Sequence, residues 1–208
     1  MQRACEPLHV QLNLDDSMVA VVNRTYKSQP YLIVSADVVD LTGQYRFRQT
    51  SKVASKATSA TEVFSVASSL AKETGIVFVV LHLKDQQGKL ISQNVYWMHP
   101  KHNYTSISQM KPAEVQVKLD GFSKSKGNYV YQFRFNNSSE QLAFFINPQL
   151  TVNGEELRPC FWDRNYFSLL PHESVTVRVS CPAEKIGDMQ PTLVTSGWNV
   201  LSKEMMLK

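Results

Sequence analysis

Apolar and polar residues alternate with a period of two along most of this chain, and strands with one buried face are what that spacing builds. His9-Val10-Gln11-Leu12-Asn13-Leu14 is one instance and residues 31–40 a longer, β-branched one. Tyr129-Val130-Tyr131-Gln132-Phe133-Arg134-Phe135 is another, strongly alternating. Turn residues punctuate these runs at Asp15-Asp16-Ser17, Thr42-Gly43 and Asp85-Gln86-Gln87-Gly88. Asn153-Gly154 is the dipeptide best suited to a two-residue hairpin. The best apolar run, residues 76–83, is bounded by Gly75 and Lys84. It has the length of a strand and falls well short of the roughly 18 residues a membrane helix needs.

About six to seven short strands fall on each side of His99-Pro100-Lys101-His102-Asn103, which reads as a linker. The pattern therefore predicts an all-β chain of two consecutive immunoglobulin-like β-sandwich domains, residues 1–102 and 103–208. With 43% hydrophobic and 19% charged residues, each half can bury a core. The Cys-Trp-Cys hallmark of antibody domains is absent. One stretch fits less well. Residues 52–72 are rich in Ala and Ser, and Val63, Val66, Leu70 and Ala71 have the spacing of a helical face. Ser and Thr disfavour a helix interior, so the reading is a strand over 61–66 and then a loop with one helical turn. In the second half, residues 121–127 read as a loop, and Val175, Val177 and Val179 are expected to face the core.

Charge gives no sign of a nucleic-acid surface. Eleven basic face eight acidic residues up to Ser106, and eleven face ten after it, with no concentrated basic stripe. Lys118, Lys124 and Lys126 read as a solvated hairpin loop. Met1 to Pro7 carry no apolar signal core and read as a chain entered part-way through a longer protein. Three cysteines, Cys5, Cys160 and Cys181, are too few for a disulfide scaffold. Cys160 and Cys181 lie near strand ends, where pairing and idle thiols both remain open. Glycosylation sequons begin at Asn23, Asn103, Asn136 and Asn137 and matter only in a eukaryotic secretory pathway.

No constellation of an enzyme active site stands out. There is no Gly-x-Ser-x-Gly elbow and no phosphate-cradling loop. His99 and His102 lack neighbouring Cys or carboxylates, so neither a metal nor another cofactor is expected. Asp15-Asp16 and Glu155-Glu156 sit in turns, without the apolar pocket that raises a catalytic acid's pKa. The aromatic residues are more informative. Trp97, Phe167 and Trp198 read as core filling, while Trp162 and Tyr166 flank the polar Asp163-Arg164-Asn165 and suit stacking on a sugar as well as packing.

Three stretches, taken in order, resemble one family. They are Ala4-Cys5-Glu6-Pro7-Leu8-His9-Val10-Gln11-Leu12-Asn13-Leu14, then Asn94-Val95-Tyr96-Trp97, then Asn165-Tyr166-Phe167-Ser168-Leu169-Leu170-Pro171-His172-Glu173-Ser174. The chain resembles the C-terminal region of glycoside hydrolase family 2 enzymes, in the branch of exo-β-glucosaminidases, mannosylglycoprotein endo-β-mannosidases and β-mannosidases. The resemblance implies sandwiches that follow and pack against a catalytic (β/α)8 barrel carrying both catalytic glutamates. No position here matches those glutamates, so no catalytic residue is implied for this chain, although the parent would be a retaining hydrolase. Trp162, Asp163, Arg164, Asn165 and Tyr166 become candidates for contact with a glycan or the barrel. Periplasmic, secreted or lysosome- or vacuole-like placement follows from family habit. Two departures stand out: Arg164 replaces a usual acidic residue, and His172 replaces a usual glycine, which asks a histidine to take a left-handed turn. The competing expectation is a stand-alone carbohydrate-binding or protein-interaction module.

Overall fold

A computed structural model describes residues 6–207. Cys5, and with it the start of the first resemblance stretch, lies outside the described residues. The chain divides into two compact units, Met1–Gln109 and Met110–Lys208, and each is an antiparallel two-sheet sandwich.

In the first unit, β1 (Leu8–Leu12), β2 (Met18–Asn23) and β5 (Ser59–Ser65) form one sheet in the order β1-β2-β5. The other, ordered β4-β3-β6-β7, holds β3 (Gln29–Asp40), β4 (Tyr45–Ser55), β6 (Val77–Lys84) and β7 (Leu90–Met98). Alternate residues meet between the sheets: Val10, Leu12, Val19 and Val21 from one side, Val34, Ala36, Val38, Val79 and Leu81 from the other. The continuous apolar run became β6, buried on both faces except at Lys84. Both hairpins of the larger sheet turn on an aspartate and a left-handed glycine. Asp40 Oδ1 accepts the N–H groups of Thr42 and Gln44 on either side of Gly43, and Asp85 Oδ1 accepts those of Gln87 and Lys89 on either side of Gly88. The Ala/Ser-rich stretch supplies the end of β4, then β5, then a single helical turn α1 (Ala67–Leu70). β4 runs on to Ser55 because Phe47, Gln49, Ser51 and Val53 keep the inward phase while Arg46, Arg48, Thr50 and Lys52 face solvent.

In the second unit, β8 (Val115–Ser125), β9 (Asn128–Asn137), β12 (Phe161–Trp162) and β14 (Ser174–Pro182) form a sheet ordered β12-β14-β9-β8. The facing sheet holds β10 (Ala143–Val152), β11 (Glu155–Glu156), β15 (Thr192–Ser196) and β16 (Lys203–Met206) in the order β11-β10-β15-β16, with β13 (Phe167–Leu169) also on β10. Phe133, Phe135, Ile146, Leu150, Val177, Val179 and Leu193 fill the core, and Val175 packs partly buried against it. Asn153-Gly154 forms the expected tight hairpin, both residues having positive φ. Residues 121–127 differ from expectation. A register shift at Gly121 carries β8 on to Ser125, and the turn shrinks to Lys126-Gly127.

Trp97 and Trp198 also differ: they are 42% and 56% exposed rather than core. Tyr96 and Met98 take the inward phase of β7, which leaves Trp97 on the outer face. Trp198 sits in the turn after β15, where its N–H donates to the Phe144 carbonyl. Phe167 is buried as expected.

Buried asparagines hold the connections that cross between sheets. Asn23 ends β2; its Nδ2 donates to the carbonyls of Lys27 and Lys56, and its Oδ1 accepts from the N–H and hydroxyl of Thr25. Asn137 ends β9 and repeats the device. Its Nδ2 donates to the carbonyls of Gln141, Leu169 and Leu170, and its Oδ1 accepts from the N–H and hydroxyl of Ser139. In a chain made in a secretory pathway, a glycan on either nitrogen would displace these bonds. Replacing Asn137 by Ala strands several main-chain groups away from water. Asn137→Ala is expected to cost about 2–4 kcal/mol in urea denaturation, against less than about 1 kcal/mol for neighbouring Asn136→Ala.

Candidate functional site

The segment singled out for ligand contact, residues 162–166, lies at the edge of the second unit between β11 and β13. β12 gives it two residues of regular pairing: Phe161 opposes Ser180 and Trp162 opposes Val179. Alternation then sets directions. Trp162 turns inward, half-buried, and its indole stacks on Phe133 at 6.3 Å between centroids and 27° between planes. Phe161 turns outward and is 68% exposed. Asp163 is spent on structure: its Oδ1 accepts the Arg178 N–H at 2.8 Å, and its own N–H donates to the Arg178 carbonyl at 2.9 Å.

Asn165 and Tyr166 form the bend into β13. Asn165 Oδ1 accepts the Tyr166 N–H, and Tyr166 takes a left-handed φ of 51°. Its ring is 59% exposed and meets Phe145 edge-on at 6.1 Å. Phe145 is left-handed too, at φ 53°, where the register between β10 and β13 shifts. Two bulky residues in that region are uncommon, and such strain is a feature of binding sites as well as of tight corners. His172 also adopts the left-handed turn that its place in the third stretch implied, with φ 60°.

Trp162, Asn165 and Tyr166 share a depression of about 470 Å³ with Pro148, Glu156, Arg158 and Cys160, while Asp163 and Arg164 are not part of its lining. Arg158 and Glu156 pair on its rim. Glu156, Arg158 and Cys160 escaped sequence reasoning because only the fold of 155–160 brings them beside Trp162. The strand alternation around Trp162 was the available signal. Chemically the depression offers an ion pair, a carboxamide and an exposed phenol ring, which suits a polar ligand with one apolar face. Tyr131 is buried in the core of the same unit, and its phenol is pushed up to about 12, first by burial, then by Cys181, Tyr129 and Cys160.

The other sequence candidates do not assemble. His99 Nδ1 accepts the N–H groups of Lys101 and Asn103 in a turn. Asp15 and Asp16 accept N–H groups of their own turn. Among the described residues no three His, Cys, Asp or Glu side chains group as a metal site would, and no helix is long and apolar enough to cross a membrane.

Comparison with known proteins places these sandwiches. Residues 94–200, just over half of the chain, match the exo-beta-D-glucosaminidase Ig-fold domain, and residues 17–102 match the mannosidase Ig/CBM-like domain. An exo-beta-D-glucosaminidase of Arthroderma benhamiae is 26% identical over 94% of this chain and 24% of its own length. A mannosylglycoprotein endo-beta-mannosidase of Lilium longiflorum is 30% identical over 67% of this chain and 15% of its own. The crystal structure of the Amycolatopsis orientalis exo-chitosanase superposes with a TM-score of 0.89 at 20% identity, covering 99% of this chain and 27% of that one, and so shares the fold. The chain spans a quarter or less of the length of these sequence relatives.

Two measurements check the geometry. Trp162→Ala removes a half-buried indole from Phe133 and should lower stability by about 2 kcal/mol, whereas Tyr166→Ala should stay within about 0.5 kcal/mol. Raising pH gives the second. The Tyr131 phenol is higher in the fold than its ordinary value of 10.0, so its contribution is complete below about pH 10 and is lost towards about pH 12. Urea midpoints of Tyr131→Phe should fall less steeply across that window than those of the parent chain.

Proposed function

Since this chain belongs to the family of exo-β-D-glucosaminidase Ig-fold domains, we propose that its sandwiches are the accessory region of a larger retaining glycoside hydrolase. The parent would cleave β-glucosaminides or β-mannosides, including those of glycoprotein glycans. Catalysis would lie in a (β/α)8 barrel carrying a nucleophilic and an acid–base glutamate. The observation that carries this reading is the pair of successive, overlapping family matches over residues 17–102 and 94–200, together with sequence relatives several times longer than the chain. The acidic neighbours Asp15 and Asp16 accept turn N–H groups, and Glu156 pairs with Arg158.

On this reading the sandwiches pack beside the barrel and shape its approach. The edge formed by Trp162, Asp163, Arg164, Asn165 and Tyr166 is the candidate contact, with barrel or with glycan. One observation favours the second reading, an independent carbohydrate-binding module: the exposed Tyr166 ring on the rim of the depression.

The purified chain, incubated with p-nitrophenyl β-D-glucosaminide and β-mannoside, should release no nitrophenol above the buffer blank. Measurable turnover would overturn the accessory reading. Binding of the same protein to a glycan array, abolished by Tyr166→Ala while the fold is retained, would establish the second reading in its place.

A further inference from the structure

Two thiols meet at the inner face of the second unit. The register of β12 on β14 sets Phe161 opposite Ser180 and Trp162 opposite Val179, so one step further Cys160 stands opposite Cys181. The parity of that ladder follows from one bond. Asp163 donates its N–H to the Arg178 carbonyl, which makes those two a hydrogen-bonded pair. Counting back along alternating positions, Phe161–Ser180 is again hydrogen-bonded, and Trp162–Val179 and Cys160–Cys181 are non-hydrogen-bonded pairs. Side chains approach most closely at such pairs, where Cα atoms lie about 4.5 Å apart, within disulfide range.

Orientation agrees. Cys181 is buried in the core with Val177 and Val179, and Cys160 packs against that core together with Trp162. Both are free thiols. They share a hydrogen bond that holds the Cys160 thiol well above its ordinary range, with burial adding to it, and lowers that of Cys181. Access differs: Cys181 is fully buried, while Cys160 is half-buried and lines the depression.

We propose that Cys160 and Cys181 form a dithiol switch that closes to a reversible disulfide and staples β12 to β14. The oxidant is a small disulfide, of which oxidised glutathione is the simplest. Cys160, reachable from the depression, attacks one glutathione sulfur as its thiolate; the glutathione S–S bond breaks and one glutathione leaves. The Cys181 thiolate then attacks the Cys160 sulfur and displaces the second. One S–S bond replaces another, two electrons pass to the oxidant, and the two thiol protons end on two molecules of glutathione. The first step is the slow one, because the accessible thiol is the one held protonated. β12 is only two residues long, so the staple immobilises the segment that carries Trp162.

The full 208-residue chain with Cys5→Ala isolates the pair. After reduction, desalting and exposure to oxidised glutathione, intact mass should show the loss of two hydrogens, and peptide mapping should join the Cys160 and Cys181 peptides. Dithiothreitol should restore both thiols. Amide exchange at 161–163 should slow by about tenfold or more in the oxidised form. A stable glutathione adduct on Cys160, or two thiols that remain alkylatable, would overturn the proposal. A disulfide that leaves exchange unchanged would overturn the immobilising role.

Discussion

Each sandwich closes through a buried carboxamide. A two-sheet fold must send the chain from one sheet to the other, and main-chain groups at those crossings lose both their ladder partners and water. Asn23 binds the crossing from β2 to β3 through Lys27 and the crossing from β4 to β5 through Lys56. Asn137 binds the crossing from β9 to β10 through Gln141 and the one from β13 to β14 through Leu169 and Leu170. Apolar side chains can fill such corners but cannot satisfy them, and an unsatisfied buried carbonyl costs about 1–3 kcal/mol. Packing between the sheets depends on these ties, because they fix where each strand starts and hence which residues point inward.

The stretches that carry the family resemblance are held by the same kind of interaction. The first and second stretches join across the sandwich edge: Asn94 Nδ2 donates to the Val10 carbonyl, and the Tyr96 hydroxyl accepts the Leu12 N–H. The third is the corner gripped by Asn137, and Glu173 adds a bond to the Leu170 N–H. The recognisable residues are thus mostly those that close edges and corners. That is why the family signature reads here as a signature of the fold.

Strands were legible because alternation is local: each residue's face follows from its neighbours. Asn153-Gly154 and the Asp/Gly hairpins were legible for the same reason, since a turn's chemistry lies within it. What escaped depends on partners distant in sequence. Asn23 and Asn137 looked like turn residues and sequons, yet their partners lie up to 33 residues away. Trp97 and Trp198 were assigned by size, and size does not say which face a side chain takes. The depression beside Trp162 needed the approach of Pro148, Glu156 and Arg158, which no pattern within residues 162–166 contains.

The paired asparagine corners also show how little of an arch its geometry dictates. In both units the hydroxyl partner comes two residues after the asparagine, the carbonyl partner four after, and the next strand begins at the sixth. The residues between share almost nothing, Arg24-Thr25-Tyr26-Lys27-Ser28 in one and Ser138-Ser139-Glu140-Gln141-Leu142 in the other. Such a corner separates a bonded skeleton from a free skin: Tyr26, at its crest, is 94% exposed. Two arches can therefore differ in everything a partner would touch while keeping the same bonds at their base.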